Sequence, residues 1–250
     1  MEAMSLPGQA AILLAGVAAG VAGTVASLAS VISYPALLAA GLSPLGANVT
    51  NTAALTFKAI GAGWGARREL SGQERRIVRL GALTAVGGAV GAALLLMMPP
   101  EAFQMAAPVL VALACLALLL PHGRPACGRR RRKATRYGVF GVAVYTGYFG
   151  AAGGVLLLAA LDTVFDDDLA DLNALKNALA GISNLVATLA FALYGPVEWS
   201  LMPALAAGFL LGGRIGPVLV RKLPAGPLRV LIASGGIGVA VHLGIDAYGL

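Results

Sequence analysis

Two lysines stand where a lysine is costly. Lys58 lies inside an apolar segment, nine residues before Arg67. At a helical rise of 1.5 Å per residue that places it about 13 Å deeper than the arginine. Lys176 lies inside a second apolar segment. An ionised group at such depth is strongly disfavoured unless charge or hydrogen bonds satisfy it. No aspartate or glutamate occupies the centre of an apolar span; Glu101, Asp162, Glu198 and Asp246 fall near ends or loops. A deep ammonium without a carboxylate matches a bound anion, the alternative being a snorkelling or anchoring role. Asparagines accompany both lysines. Asn48, Asn51 and Lys58 lie near one helix face, because seven residues make almost two turns. Asn173, Asn177 and Asn184 repeat at four and seven, again on one face, with Lys176 and Ser183 beside them. Two polar stripes in apolar segments suggest the lining of a path for a polar solute.

A third feature is backbone chemistry. Gly147-Tyr148-Phe149-Gly150-Ala151-Ala152-Gly153-Gly154 interrupts an apolar segment running from about Tyr137 to Leu161. Each glycine weakens a helix by roughly 1 kcal/mol relative to alanine. Within a bilayer a broken helix is tolerated only inside protein or against a watery cavity. Such a break points to a substrate site, with Gly150, Gly153 and Gly154 as candidates. Close helix packing through the Gly150/Gly154 pair is the plainer alternative.

The elements that must position these residues are membrane helices. Of 250 residues 58% are hydrophobic and 12% charged, against roughly 25% charged in soluble domains. The alternating ten-residue strands of a β-barrel are absent. The formal charge of +7 is gathered in short loops between apolar spans, a positive-inside pattern and not a nucleic-acid footprint. Cys115 and Cys127 form neither a disulfide framework nor a metal spacing. No Lys or Arg precedes Lys58, so the charged start of a cleaved signal peptide is not expected.

In chain order, Gln9–Ala40 is a long apolar run containing Ser27, Ser30, Ser33 and Pro35, closed by the turn Gly41-Leu42-Ser43-Pro44. A span from about Ala47 to Ala66 stops at Arg67-Arg68, and a loop to Arg79 carries five arginines and two glutamates. A span to Met98, the turn Pro99-Pro100-Glu101 and a span to Leu120 follow. Three parts result: a first membrane repeat over 1–121, a basic cytoplasmic linker over 122–136 around Arg129–Lys133, and a second membrane repeat over 137–250. Shifting by 125 residues places Asn48 on Asn173, Gly87 on Gly212, Gly88 on Gly213, Gly91 on Gly216 and Pro99 on Pro224. The unbroken offset predicts an internal duplication.

The cations switch loops between the copies. Arg67–Arg79 is basic and Pro99–Glu101 is not; in the second copy Gly195–Glu198 carries no cation and Arg221-Lys222 does. By the positive-inside rule the copies are then inverted. The expected fold is an all-α polytopic membrane protein of inverted repeats. It has six full spans and two broken or re-entrant helical hairpins, at 9–40 and 137–161, with both termini outside. The alternative is eight simple spans.

The runs Tyr34-Pro35-Ala36-Leu37-Leu38, Gly41-Leu42-Ser43-Pro44 and Ala47-Asn48-Val49-Thr50-Asn51 resemble the first-half pattern of the sulfite exporter TauE/SafE family. Gly147–Gly154, Asn173-Ala174-Leu175-Lys176-Asn177 and Gly212-Gly213-Arg214-Ile215-Gly216 are similar to its second half. The resemblance covers most of the chain in the right order. It implies a duplicated permease of the cell (inner) membrane that moves sulfite, sulfonates or related sulfur-containing anions. Two departures stand out: Ala26-Ser27-Leu28-Ala29-Ser30 occupies a break that usually holds glycines, and Lys58 lies beyond the motif.

No Walker A loop, His-Glu-x-x-His or nucleophile elbow is present, and His122 and His242 are isolated. No catalytic residue, cofactor or metal is expected. The expected partners are a small anionic substrate, the lipid bilayer and, as an option, further copies of the chain; nucleic acid is not among them. The substrate-binding candidates are Asn48, Asn51, Lys58, Gly150, Gly153, Gly154, Asn173, Lys176, Asn177 and Asn184. A channel for small anions or neutral solutes is the runner-up.

Overall fold

A computed structural model describes residues 6–99, 101–103, 105–106, 109, 129–150, 153–162, 164–165, 167–220, 241 and 245. The regular structure among them is helical. The helices are α1 (Leu6–Ala26), α2 (Ala29–Ala39), α3 (Pro44–Gly65), α4 (Arg67–Leu70), α5 (Glu74–Met97), α6 (Arg129–Tyr148), α7 (Gly153–Asp162), α8 (Leu169–Tyr194) and α9 (Met202–Val220). Four of them, α1, α5, α8 and α9, are long and apolar enough to cross a membrane. Helix α3, with 22 residues, has the length as well, but Asn48, Thr50, Asn51, Thr52 and Lys58 interrupt its apolar run. Most of the expected span to Leu120 and of the last span, and linker residues 122–128, lie outside the described residues, whereas the linker's centre, Arg129–Lys133, is not a loop but the start of α6.

Local chemistry explains the boundaries. Ser43 caps α3 by accepting from the Gly46 N–H at 3.2 Å, and Pro44 fills the first helical position, where a missing N–H costs nothing. Gly41 takes a left-handed φ of 90° in the turn before it. The expected loop from Arg67 to Arg79 is much shorter than the charges suggested. Arg67–Leu70 forms one helical turn, Gly72 turns at φ 84°, and α5 begins at Glu74. Arg75, Arg76 and Arg79 therefore stand on the first turns of α5. Helix formation is compatible with charge there because Arg75 and Arg79 are exposed and Arg76 pairs with Asp167.

Both expected breaks are present, and both fold the chain back. In a continuous helix residues six apart are separated by about 9 Å along the axis. Here a β-carbon on Gly23 would meet the Cα of Ala29 at 3.2 Å. The turn is made at Ser27 and Leu28, with Ser27 at φ 64°. In the second half a β-carbon on Gly153 would meet the Thr146 Cβ at 3.3 Å, seven residues back. That turn follows Phe149, with Gly150 at φ 73°. A threonine precedes each break and bonds one turn back: Thr24 Oγ1 to the Gly20 carbonyl and Thr146 Oγ1 to the Val142 carbonyl, each at 2.8 Å. Such back-bonding competes with the helix ladder and bends helices.

The packing crosses between halves. Helix α1 runs parallel to α9: Gly16 faces Leu205 and Gly208, Gly20 faces Phe209 and Gly212, and Thr24 faces Gly216. Helix α6 runs parallel to α5 in the same way, with Gly87 against Ala143 and Gly91 against Val144 and Tyr148. In both seams a β-carbon on a glycine would strike backbone of the facing helix, so the glycines serve close approach. Helix α3 packs on α9 and α5 on α8. At the centre α3 and α8 run antiparallel, with Val49 beside Gly195, Thr56 bonded to Thr188 at 3.2 Å, and Ala59 beside Gly181.

Two polar surfaces are defined by this packing. Arg76 pairs with Asp167 and lies 4.4 Å above the Phe165 ring, and Gln73 donates to the Asp171 carbonyl at 3.2 Å. The start of α5 and the segment before α8 thus share one end of the molecule. At the other end the Glu198 N–H donates to Thr50 Oγ1 at 2.9 Å. Tyr34, Phe103, Tyr145 and Phe149 form an aromatic cluster beside the second break, with Phe103 and Phe149 centroids 5.8 Å apart.

Candidate functional site

The two breaks meet in the interior. A β-carbon on Gly154 would lie 2.8 Å from the Cβ and Oγ of Ser27, so the start of α7 rests against the first turn. Between them lies a cavity bordered by Lys58, Lys176, Asn177, Asn184, Ser27 and Thr146, with Gly150 and Gly154 contributing backbone. Its volume is about 20 Å³. That is enough for a water-sized occupant.

Each half secures the break of the other. Asn48, on α3 of the first half, donates to the Tyr148 carbonyl at 3.0 Å, where α6 ends. Lys176, on α8 of the second half, donates to Ser27 Oγ and Asn173 Oδ1 at 2.7 Å each and to the Thr24 carbonyl at 3.4 Å. Carbonyls that a break releases from the helix ladder need new donors, and these side chains supply them. Within the first half Asn51 holds α2: its Nδ2 donates to Ser30 Oγ at 3.0 Å, and its Oδ1 accepts from Ser33 Oγ at 2.6 Å.

The two lysines differ sharply. Both are buried. Lys176 is enclosed by acceptors. Lys58 has no hydrogen bond or ion pair to any described residue. Asn177 Oδ1 and Asn184 Oδ1, also on the cavity wall, are buried without a partner. Buried polar groups are normally paired, so a cluster of unpaired donor and acceptors marks a place prepared for something else.

All ten sequence-predicted positions lie in this region, and they divide. Lys58, Gly150, Gly154, Lys176, Asn177 and Asn184 border the cavity. Asn48, Asn51 and Asn173 are engaged in the hydrogen bonds that hold breaks and helices around it. Gly153 packs on Thr146 and does not border it. Gly153 and Gly154 open helix α7 and are not themselves the turn, which lies at Gly150; residues 151 and 152 are outside the described ones. Sequence reasoning missed Ser27, Ser30 and Thr146 as wall residues. The i, i+3 spacing of Ser27, Ser30 and Ser33, at the place where the second half has glycines, was the available signal.

The profile of the family "Sulfite exporter TauE/SafE" matches residues 11–243. The "Probable membrane transporter protein YfcA" of Escherichia coli K12 is 31% identical, over 92% of this chain and 87% of its own length. A "Probable membrane transporter protein" of Xylella fastidiosa Temecula1 is 28% identical over 52% of this chain and 53% of its own. No solved structure matches.

Proposed function

The chain belongs to the sulfite exporter TauE/SafE family, and on that premise we propose that it is a permease for small sulfur-containing anions. Sulfite, sulfonates or related oxyanions pass across the cytoplasmic membrane through a central site between two inverted repeats, 1–121 and 137–250, joined by the cytoplasmic linker 122–136. The inverted reading is supported by the antiparallel course of α3 and α8, the helices that carry the matching asparagines. Folded-back breaks at equivalent places in the two halves support two re-entrant hairpins.

The observation that carries the reading is Lys58. A buried ammonium with no partner among the described residues faces a polar cavity in which Lys176 is the other charge. An anion there would meet Lys58, the hydroxyls of Ser27 and Thr146, and the positive N-terminal end of α7 at Gly154. The Asn177 and Asn184 amides can reorient to present their NH₂ groups. Reconstituted protein should show saturable uptake of sulfite and of sulfonates such as isethionate, with carboxylates of similar size poorer. Flux that does not saturate would indicate a channel. Equal flux of carboxylates and sulfur oxyanions would remove the sulfur preference.

A further inference from the structure

We infer that Arg67, Arg68, Arg75 and Arg79 form a site for the headgroup of an acidic phospholipid, at the corner where α3 turns through α4 into α5. The ligand is a phosphodiester monoanion held in the bilayer, such as phosphatidylglycerol, and not a soluble anion.

Two outward-facing apolar stripes end at these arginines. On α3 the large exposed side chains are Phe57, Ile60 and Trp64, spaced three and four residues apart on one face. Arg67 and Arg68, both exposed, follow within one turn. On α5 the exposed face carries Val78, Val86, Val90, Leu94 and Met97. At 3.6 residues per turn Arg75 and Arg79 head the same face, and both are exposed. An uncovered apolar face on a membrane helix meets acyl chains, so a cation heading it lies at headgroup level. Trp64, 48% exposed, stands one turn from Arg67 and Arg68, where an interfacial ring is expected. The positive-inside rule asks only that the cations lie on one side. Their position on the lipid-facing margins of two helices goes beyond it.

The charge at this corner is not used within the protein. Arg76 pairs with Asp167 and covers the Phe165 ring, whereas the other four arginines have no acceptor among the described residues. Glu74 is turned back on the Gly72 N–H at 3.1 Å. With five arginines against Glu69 and Glu74 between residues 64 and 79, an excess of positive charge is left. All the cations there are arginines, whose planar guanidinium offers two parallel N–H groups to a phosphate. At the other end of the molecule the segments 41–50, 98–103 and 195–201 contain no Lys or Arg. The corner is also tied to the cavity. Helix α4 packs on α8, and Gln73 donates to the Glu69 carbonyl at 2.7 Å and to the Asp171 carbonyl at 3.2 Å. A headgroup held by both arginine pairs therefore clamps this corner over α8, which carries Lys176, Asn177 and Asn184.

The test is lipid selection. Purified protein in detergent is mixed with equal amounts of phosphatidylglycerol and phosphatidylcholine, and bound lipid is counted by native mass spectrometry. The expected preference for phosphatidylglycerol is about tenfold, and it falls at high salt because exposed charges are screened. Phosphatidylglycerol should also raise the unfolding temperature above that in phosphatidylcholine. Arg67→Gln, Arg68→Gln, Arg75→Gln and Arg79→Gln combined should abolish the preference. The unfolding temperature in phosphatidylcholine should stay unchanged, since no bond to a described residue is lost. Either pair changed alone should lose part of the preference, which keeps the test readable should the fourfold variant fold poorly. Equal binding of the two lipids, or a preference that survives the fourfold change, would overturn the inference. So would inorganic phosphate alone reproducing the thermal shift, since the ligand would then be a soluble anion.

Discussion

Replacing Lys176 by glutamine removes donors to Ser27, Asn173 and the Thr24 carbonyl together, whereas replacing Lys58 breaks no bond within the described protein. The two variants should therefore separate. Lys176→Gln is expected to lower stability by about 1.5–3 kcal/mol, the usual worth of a hydrogen bond from a charged group, and to weaken anion binding too. Lys58→Gln is expected to weaken binding roughly ten- to hundredfold with no fall in unfolding temperature, since it breaks no bond to a described residue. The double variant should lose less affinity than the product of the singles if both side chains act on one ligand. Unfolding of the detergent-solubilised variants and isethionate binding at fixed pH check these outcomes. Equal stability losses in both singles would mean that Lys58 has a structural partner. The candidate residues were legible because lysine and asparagine are conspicuous in an apolar segment. Their division of labour was not, because it depends on which carbonyls a break sets free. The serines were harder to see, since a hydroxyl in a membrane helix usually bonds its own backbone, as Thr24 does.

The breaks are the elements on which the site depends, and they lean on each other. A methyl on Gly154 would press on Ser27 Cβ and Oγ at 2.8 Å, and a valine on Gly153 would strike the Thr146 side chain. Gly154→Ala is expected to reduce stability and flux, and Ser27→Gly placed beside it should recover part of the unfolding temperature, the remainder reflecting the acceptor that Lys176 no longer has. The restoration follows because glycine removes the clash and accepts the left-handed φ of 64° without strain. No recovery in the double variant would show that Gly154 is needed for something other than room against Ser27. Cross-half support gives a second test. Asn48→Leu leaves the Tyr148 carbonyl without its donor, which costs about 1–3 kcal/mol for a buried group. Faster amide hydrogen exchange at Phe149 and Gly150 should follow, although the mutated residue is a hundred positions away in sequence. Sequence reasoning located the second break from its glycines. Which glycine makes the turn was not legible: Gly153 and Gly154 serve packing at a helix start, while Gly150 takes the turn conformation. The first break, made by a serine, had no such marker.

At the scale of the whole molecule the end-to-end pairings bear on topology. In the proposed topology the five arginines at 67, 68, 75, 76 and 79 put the start of α5 on the cytoplasmic side by the positive-inside rule. Arg76 pairs with Asp167 and Gln73 reaches Asp171, so the acidic segment before α8 belongs to the same side. The Glu198–Thr50 bond joins the α8–α9 connection to the start of α3, at the opposite end. With α6 and α7 entering and leaving on one face, as inverted repeats require, these pairings agree. Eight simple spans would put the Asp168 segment outside and the 195–201 connection inside, away from the partners seen here. Asp168 and Ser200 are exposed and suited to labelling. In a variant lacking Cys115 and Cys127, a cysteine at 168 should resist an impermeant maleimide applied to intact cells and react in inverted vesicles. A cysteine at 200 should show the reverse. The pair of reciprocal results is required, since burial alone could silence one site. External labelling at 168 with internal labelling at 200 would replace the inverted arrangement by simple spans, and the two breaks would then enter from one side instead of converging from both.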